Sequence, residues 1–498
     1  MTDTIFARAS GAGKAGVAVF RLSGPDAFRI FKELVGKQIK YRAAEMGVLR
    51  DPEDGQIIDK GLAILFEGPK SYTGEDVAEF HLHGSRAVET ALYDALARLG
   101  ARPAEAGEFT LRALKNGKLD LAQAEALADL IDAETILQKK QALGQLDGRL
   151  SALAEGWRAQ ILAVMAPLEA DIDFPDEGDV PAAVAASAGP AIDALQESLI
   201  TFLNQSVSAR RIREGVSIAV IGAPNAGKSS LVNALAGSDV AIVSETAGTT
   251  RDIVETRLDL GGVVAAIADT AGLREATGDA IEAEGMKRAR KRAEEADIRV
   301  LVMDLTTEWT GAAPSPEGAG APSTSPKGEV DLPQAQPITS REGKVSLPHA
   351  QRPTSPLGEV EFPLGNSGEG SDLLKPGDII VWNKADLGGV PKMEQSGFTE
   401  LALSAKTGAG MAKLVEALTA KAAGGDFADG PALTRIRHVQ AVEEALAALS
   451  RAESLIARAP ELAAEDARLA ARALGKITGA VGVEDVLGEI FSSFCIGK

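Results

Sequence analysis

Apolar and polar positions change rhythm several times along the chain. Residues 1 to about 117 alternate short strand-like runs such as VAVFRLSG and LAILF with the turn signals SGP, EDG and GPKSYTG, and one helical stretch stands out near 86–99. This mixture predicts an α+β domain. From about 118 the texture is rich in Ala, Leu and Glu. There Leu143, Leu146, Leu150, Leu153, Trp157 and Ile161 recur at helical steps, which predicts one long amphipathic helix. At 216–221 the apolar run VSIAVI leads into a glycine-rich loop, and strand–loop–helix alternation continues to about 424, the pattern of a doubly wound α/β sheet. Residues 434–474 return to helical texture. The simplest architecture is an N-terminal domain at 1–117 and a helical domain in two segments, 118–213 and 426–498. An α/β domain at 214–425 is inserted between those segments.

Residues 311–371 interrupt this order with Pro, Gly, Ser and Thr. The segments SPKGEVDLPQAQPIT, SREGKVSLPHAQRPT and SPLGEVEFPLG repeat with a period of about 15 residues. Prolines throughout and little apolar mass predict a disordered surface insertion rather than a solenoid, with a partner-binding linear motif as the alternative.

Composition narrows the function classes. A chain of 498 residues exceeds one hydrophobic core, which agrees with several domains. No apolar run approaches the roughly 20 residues that cross a bilayer, and MTDTIFARAS lacks the basic-then-apolar pattern of a secretory signal. A cytoplasmic protein without membrane contact is the expectation. The single Cys495 cannot form an internal disulfide. Four histidines show no zinc-site spacing, and the pair His81 and His83 reads as structural. A formal charge of −19 argues against gripping nucleic acid with the whole surface. Any RNA contact must be local, with Arg210, Arg211 and Arg213, or Lys287 to Arg292, as candidates against the commoner reading of solvated helix faces.

The chemistry concentrates in the α/β segment. Gly222 to Ser230, GAPNAGKSS, fits G-x-x-x-x-G-K-[ST] after an apolar strand and before a helix, the context in which such a loop cradles phosphates. Asn225, Ala226, Gly227, Lys228, Ser229 and Ser230 are the expected contacts. Lys228 would reach the β- and γ-oxygens and Ser229 would offer its hydroxyl to Mg²⁺. The loop Ser244, Glu245, Thr246, Ala247, Gly248, Thr249 and Thr250 belongs at the same phosphates, Thr250 standing where a second Mg²⁺ hydroxyl ligand is needed. Asp269, Thr270, Ala271 and Gly272 follow the strand-like VVAAIA and supply a carboxylate to the metal shell and a Gly N–H to the γ-phosphate. Asn383, Lys384 and Asp386, after DIIVW, place a carboxylate to accept from guanine N1–H and its amino group. Adenine lacks this donor pair, so GTP is the expected nucleotide. Ser404, Ala405 and Lys406, after ELAL, complete the set with a backbone N–H toward guanine O6. Leu273 stands where Ras-like GTPases carry a water-orienting glutamine, so hydrolysis needs another orienting group, and a cation or partner must balance the developing charge.

PNAGKSS followed by AGTTRD resembles the MnmE (TrmE) family of tRNA-modification GTPases, within the TrmE-Era-EngA-like group of P-loop GTPases. Outside these loops, VFRLSGP, SYTGEDVAEFHLHG, GEFTLRALKNGKLDLAQAEALADLI and the terminal FCIGK carry the same resemblance. It implies a potassium ion held by Asn225, Ser244, Thr246 and Thr249, pairing of G domains when it binds, and Glu282 as the group that orients water. Glu284 and Glu275 lie close enough that a small alignment shift would pass them that role. It further implies a homodimer whose N-terminal domain binds 5-formyl- or methylene-tetrahydrofolate through Arg21, Glu79, Lys118 and Lys498. Cys495 would belong to a functional tail, a passive buried thiol being the alternative. A flavin-dependent partner, MnmG (GidA), would join it in a heterotetramer that adds a carboxymethylaminomethyl-type group at C5 of the wobble uridine, position 34, of certain tRNAs. The rival readings are an Era- or Der-type regulatory or ribosome-assembly GTPase without folate, and a stand-alone GTPase whose flanks are scaffold.

Overall fold

The computed structural model describes residues 3–37, 39–173, 188–223, 225–242, 256–268, 290–306, 374–388, 397–424, 430–482, 487–488, 490–491, 494 and 497. The first part contains β1 (Ile5–Arg8), β2 (Ala15–Ser23), α1 (Ala27–Val35), β3 (Glu45–Arg50), β4 (Ile57–Phe66), β5 (Val77–Gly84), α2 (Arg86–Arg98), β6 (Arg102–Pro103) and α3 (Glu108–Lys115). Its strands form one sheet in the order β3-β4-β5-β2-β1-β6. Alternation along β2 sends Ala18, Phe20 and Leu22 into a core with Ile30, Phe31, Leu92 and Leu96 of α1 and α2. Arg21, one residue out of phase, therefore lies on the other face, directly opposite Glu79 across the β2–β5 ladder. The fully buried Arg112 of α3 holds the loop before β5 through Glu75 at 3.1 Å, and also pairs with Glu108 at 2.9 Å.

Four helices follow: α4 (Leu121–Asp132), α5 (Ile136–Leu146), α6 (Arg149–Asp173) and α7 (Gly189–Glu214). The single long helix expected across Leu143 to Ile161 is two. Gly148, at φ 84°, ends α5 in the left-handed conformation that glycine adopts without a Cβ penalty, and α6 starts afresh at Arg149. Leu150, Trp157 and Ile161 enter the core as the periodicity requires, whereas Leu143 is 40% exposed and Ala142 and Gln145 face inward instead.

Next come β7 (Val216–Ile221), α8 (Lys228–Ala236), β8 (Thr256–Leu260), β9 (Val263–Ala268), β10 (Ile298–Asp304), β11 (Ile379–Asn383), β12 (Thr399–Ala402) and α9 (Met411–Ala423). They make a second sheet, β12-β11-β10-β7-β9-β8, parallel except for the β8–β9 hairpin. The helices α10 (Ile436–Leu455) and α11 (Pro460–Thr478) then pack back against α6 and α7, so one apolar core holds Trp157, Leu168 and Leu195 together with Leu449 and Leu474. Residues on both sides of the second sheet thus share a core. The repeat region 311–371 lies outside the described residues.

The chain leaves for the second sheet and returns from it through one knot of charge. Glu125 of α4 accepts from Arg437 at 2.5 and 2.6 Å and lies 3.1 Å from His438 Nε2, while Asp129 accepts from both Arg213, at the end of α7, and Arg435, just before α10. Burial pushes the Glu125 carboxyl up, but hydrogen bonds from His438 and Arg437 outweigh it and bring its pKa down to about 2. Burial brings His438 down to about 4 against the opposing hydrogen bond with Glu125, so at neutral pH the imidazole is uncharged.

Both groups bind protons more readily in the unfolded chain, so both contribute stability above their unfolded pKa values and lose it as pH falls. His438 acts from about pH 6.5 down to about 4 and Glu125 from about 4.5 down to about 2. The melting temperature is expected to drop steadily below pH 6.5, and His438→Gln is expected to flatten the upper part of that drop in a calorimetric pH series.

Among the described residues, the basic runs named from sequence are partly self-neutralised. Arg210 pairs with Glu214, Arg213 with Asp129, Arg290 with Glu294 and Lys291 with Glu295, and Arg211 donates to the Lys421 carbonyl. No helix among the described residues is long and apolar enough to cross a membrane.

Candidate nucleotide-binding site

The loops that follow β7, β11 and β12 emerge at the same edge, because these strands run parallel with β10 and end in register, Leu301 opposite Ile221 and Asp304 opposite Asn383. Loops at the carboxyl ends of such strands, where successive connections turn to opposite sides of β7, form the crevice in which doubly wound sheets bind ligands. The loop from β7 into α8 needs glycine at two places. At Gly222, φ 145°, a Cβ would lie 2.2 Å from the Val302 carbonyl oxygen, and at Gly227, φ 97°, it would lie 2.1 Å from Asn383 Nδ2. Asn225 between them is left-handed at φ 62°. Lys228 opens α8, and its ammonium donates back to the carbonyls of Gly222 and Ala223 at 2.7 and 2.9 Å. Ser229 and Ser230 are both exposed on the first turn of α8.

Asn383 is buried and joins two loops. Its amide nitrogen donates to the Ala226 carbonyl and its amide oxygen accepts from Ala405 N–H, each at 3.0 Å. Lys384 is left-handed at φ 67° and pairs with Asp304 at 2.5 Å. This turn leaves Asp386 exposed, where the Ser404 hydroxyl and then the charge of Lys406 hold its carboxyl below the usual range. Ser404 itself is buried and caps its loop by accepting from Thr407 N–H at 3.2 Å. The phosphate-type loop and the base-type loop are therefore one hydrogen-bonded unit. The double role of Asn383 and the pairing of Asp304 with Lys384 were not read from sequence. The only local signal was Asp304 ending the apolar run IRVLVM.

A second constellation occupies the first sheet. Arg21 Nε donates to Glu79 at 2.9 Å, and its guanidinium lies 4.9 Å from the centre of the Tyr72 ring and 5.7 Å from that of Phe109. Tyr72 shares a hydrogen bond with Thr110 at 2.7 Å, and Lys118 donates to the Pro69 carbonyl at 2.9 Å, so α3 and its C-terminal flank fix the loop that carries Tyr72. The carboxy-terminal tail reaches this part of the molecule. Phe491 and Phe494 pack with Ala124 and Leu111, and Gly497 sits where a Cβ would strike the Arg8 carbonyl. His83 Nδ1 is 3.0 Å from Asp59, and among the described residues no cluster of His, Cys, Asp and Glu could hold a metal.

Two family descriptions match the sequence, GTP-binding protein TrmE N-terminus over residues 4–118 and MnmE helical domain over residues 121–495. The chain is 44% identical to the tRNA modification GTPase MnmE of Parvibaculum lavamentivorans over 502 residues and 46% identical to that of Maricaulis maris over 504, in both cases across 100% of each chain. The chain belongs to the MnmE family. The MnmE of Rhodospirillum rubrum, 46% identical over 512 residues, is matched across 100% of this chain and 99% of that protein. A solved GTP-binding protein from Sulfolobus solfataricus in complex with GDP covers 54% of this chain and 67% of its own at 13% identity. Its TM-score of 0.23 is too low to argue from.

Within this MnmE-family chain the structure brings Asn225 to Ser230 together with Asn383, Lys384, Asp386 and Ser404 to Lys406, and separately joins Arg21 to Glu79 with Lys118 on the adjoining loop. Ser244 to Thr250, Asp269 to Gly272, Glu282, Cys495 and Lys498 lie outside the described residues.

Proposed function

We propose that this chain binds GTP in an inserted Ras-like G domain, hydrolyses it, and uses the cycle in modifying the wobble uridine of tRNA. The observation that carries the nucleotide half is the Asn383 bridge, which sets the guanine-reading carboxylate of Asp386 at a fixed distance from the phosphate loop. Lys228 already points at carbonyls of that loop and would exchange them for β- and γ-oxygens. The left-handed, exposed Asn225 and the Ser229 hydroxyl offer oxygen ligands, which suit hard cations. Mg²⁺, held by Ser229, Thr250 and the carboxylate of Asp269, would neutralise the β/γ-phosphates. K⁺, held by Asn225, Ser244, Thr246 and Thr249, would take the place of an arginine finger as two G domains pair, with Glu282 orienting water.

The one-carbon half rests on the Arg21–Glu79 pair. Glu79 can accept from the amino edge of a pterin, and Arg21, pinned between Tyr72 and Phe109, can meet a carboxylate or formyl oxygen. Lys118 and the tail residue Lys498 complete the proposed tetrahydrofolate site. Gly497 against Arg8 brings that tail to the first sheet. We assign the flavin chemistry to an MnmG-type partner, bound by a homodimer of this chain in the cytoplasm. The names of the relatives, tRNA modification GTPases, support the tRNA substrate.

The mechanism is tested by steady-state GTP hydrolysis in KCl and NaCl at equal ionic strength. At least a tenfold higher rate in potassium is expected, lost in Glu282→Ala while nucleotide binding persists. Equal rates in the two salts would remove the cation from the mechanism and favour a GTPase driven by a protein activator.

A further inference from the structure

A groove opens on the side of the first sheet away from Arg21 and Glu79. Arg8 lies directly opposite Phe20 in the β1–β2 ladder, so it shares the face of that core residue and reaches Glu89 of α2 at 3.0 Å. The groove is lined by Arg8, Lys14, Gly16, Ser85, Arg86 and Glu89 among others, between the exposed loop Gly11 to Gly16 and the start of α2.

Three observations point to an anion there. First, Lys14 and Arg86 are exposed and their side chains make no hydrogen bond or ion pair among the described residues, whereas Arg210, Arg213, Arg290 and Lys291 of the basic runs each pair with a carboxylate. Glu89 is engaged with Arg8, whose side chain is 10% exposed and whose second terminal nitrogen donates to the Gly13 carbonyl at 2.9 Å, leaving Nε buried without a partner among the described residues. Second, α2 spans 13 residues and is capped by Ser85, which accepts from Val88 N–H, so its first turn faces the groove with the positive end of the helix. Third, Gly11 and Gly16 have ordinary backbone angles, and a Cβ at either would meet nothing within 4 Å, so the chain itself gives no reason for glycine at either place. Bare backbone is explained when a bound group comes close to it, as in phosphate-binding loops.

We propose that this groove grips the phosphate backbone of the tRNA, with Lys14, Arg86 and the loop N–H groups as its contacts. The proposal rests on the tRNA reading above. It places part of the RNA grip on a chain whose net charge is −19, by confining it to one local surface. A phosphate backbone is preferred over a carboxylate-bearing protein because the cations flank a strip of glycine backbone rather than a pocket shaped for a side chain.

The test is equilibrium binding of full-length protein to unmodified tRNA at several salt concentrations. Lys14→Gln/Arg86→Gln is expected to weaken binding roughly tenfold at low salt and to reduce the slope of log affinity against log salt by about two, one per phosphate contact. Gly16→Leu, which has open space in the free protein, is expected to weaken tRNA binding with an unchanged melting temperature. Unchanged affinity and slope in all variants, with wild-type binding intact, would overturn the groove while leaving the tRNA reading in place. A change in oligomeric mass without a change in tRNA binding would also overturn it and make the groove an interface between copies. Absence of tRNA binding by the wild-type protein would overturn both.

Discussion

Asp386→Asn is expected to lower GTP affinity by about a hundredfold or more and to raise affinity for xanthosine triphosphate. Asp386 is exposed at the turn after β11, and the Ser404 hydroxyl keeps it ionised. As a carboxylate it can accept from both guanine N1–H and the exocyclic amine. Each such charge-assisted bond contributes about 1.5–3 kcal/mol, and every 1.4 kcal/mol is tenfold in affinity. The asparagine amide keeps one acceptor and adds a donor. It therefore repels the guanine amine and suits the carbonyl that xanthine carries there. Titration of a fluorescent GTP analogue with competition by both triphosphates measures the ratio. An unchanged preference for GTP would mean that another group reads the base.

Gly227→Ala is expected to weaken nucleotide binding and also to destabilise the fold. At φ 97° an alanine is strained, and its Cβ would fall 2.1 Å from Asn383 Nδ2. Asn383 is only 3% exposed, so it cannot swing into solvent, and displacing it breaks its bonds to Ala226 and Ala405 together. Backbone strain of about 1–3 kcal/mol and a buried amide left unsatisfied at about 1–3 kcal/mol give a combined loss of about 2–6 kcal/mol. Nucleotide affinity falls by at least tenfold, with a lower melting temperature in the absence of nucleotide. A variant that melts normally and binds GTP normally would show that the Asn383 bridge is not what joins the two loops.

These two positions show what a sequence can disclose. That Lys228, Asn383 and Asp386 would gather at one sheet edge was legible, because each lies in a loop at the end of an apolar strand of one doubly wound pattern. The Asn383 bridge was not legible, since it joins residues 157 positions apart in sequence and depends on parallel strands ending in register. The α5–α6 break was hidden for another reason. Apolar spacing runs through Gly148, and only its left-handed backbone, seen in three dimensions, stops the helix. The pair Arg21 and Glu79 came from resemblance alone. The structure adds the reason they meet, a direct cross-strand register, and the Tyr72 ring that fixes the arginine. Charge runs did not point to the groove: Arg213 pairs with Asp129 inside the helical seam, while Lys14 and Arg86, which stand outside any run, face the groove. That seam of Glu125, Arg437 and His438 joins segments more than 300 residues apart, a contact no local pattern encodes.

The central claim, a GTP-driven modification of tRNA that needs the amino-terminal pocket, is tested most directly in cells that lack this chain. Nucleosides from their total tRNA are analysed by mass spectrometry after complementation with wild type, Asp386→Asn or Arg21→Ala. The account predicts that the C5-modified wobble uridine is absent without the chain, returns with wild type, and fails to return with either variant at equal protein level. Full restoration by Arg21→Ala and Asp386→Asn would contradict it, and would leave a GTPase whose two sites serve some other process.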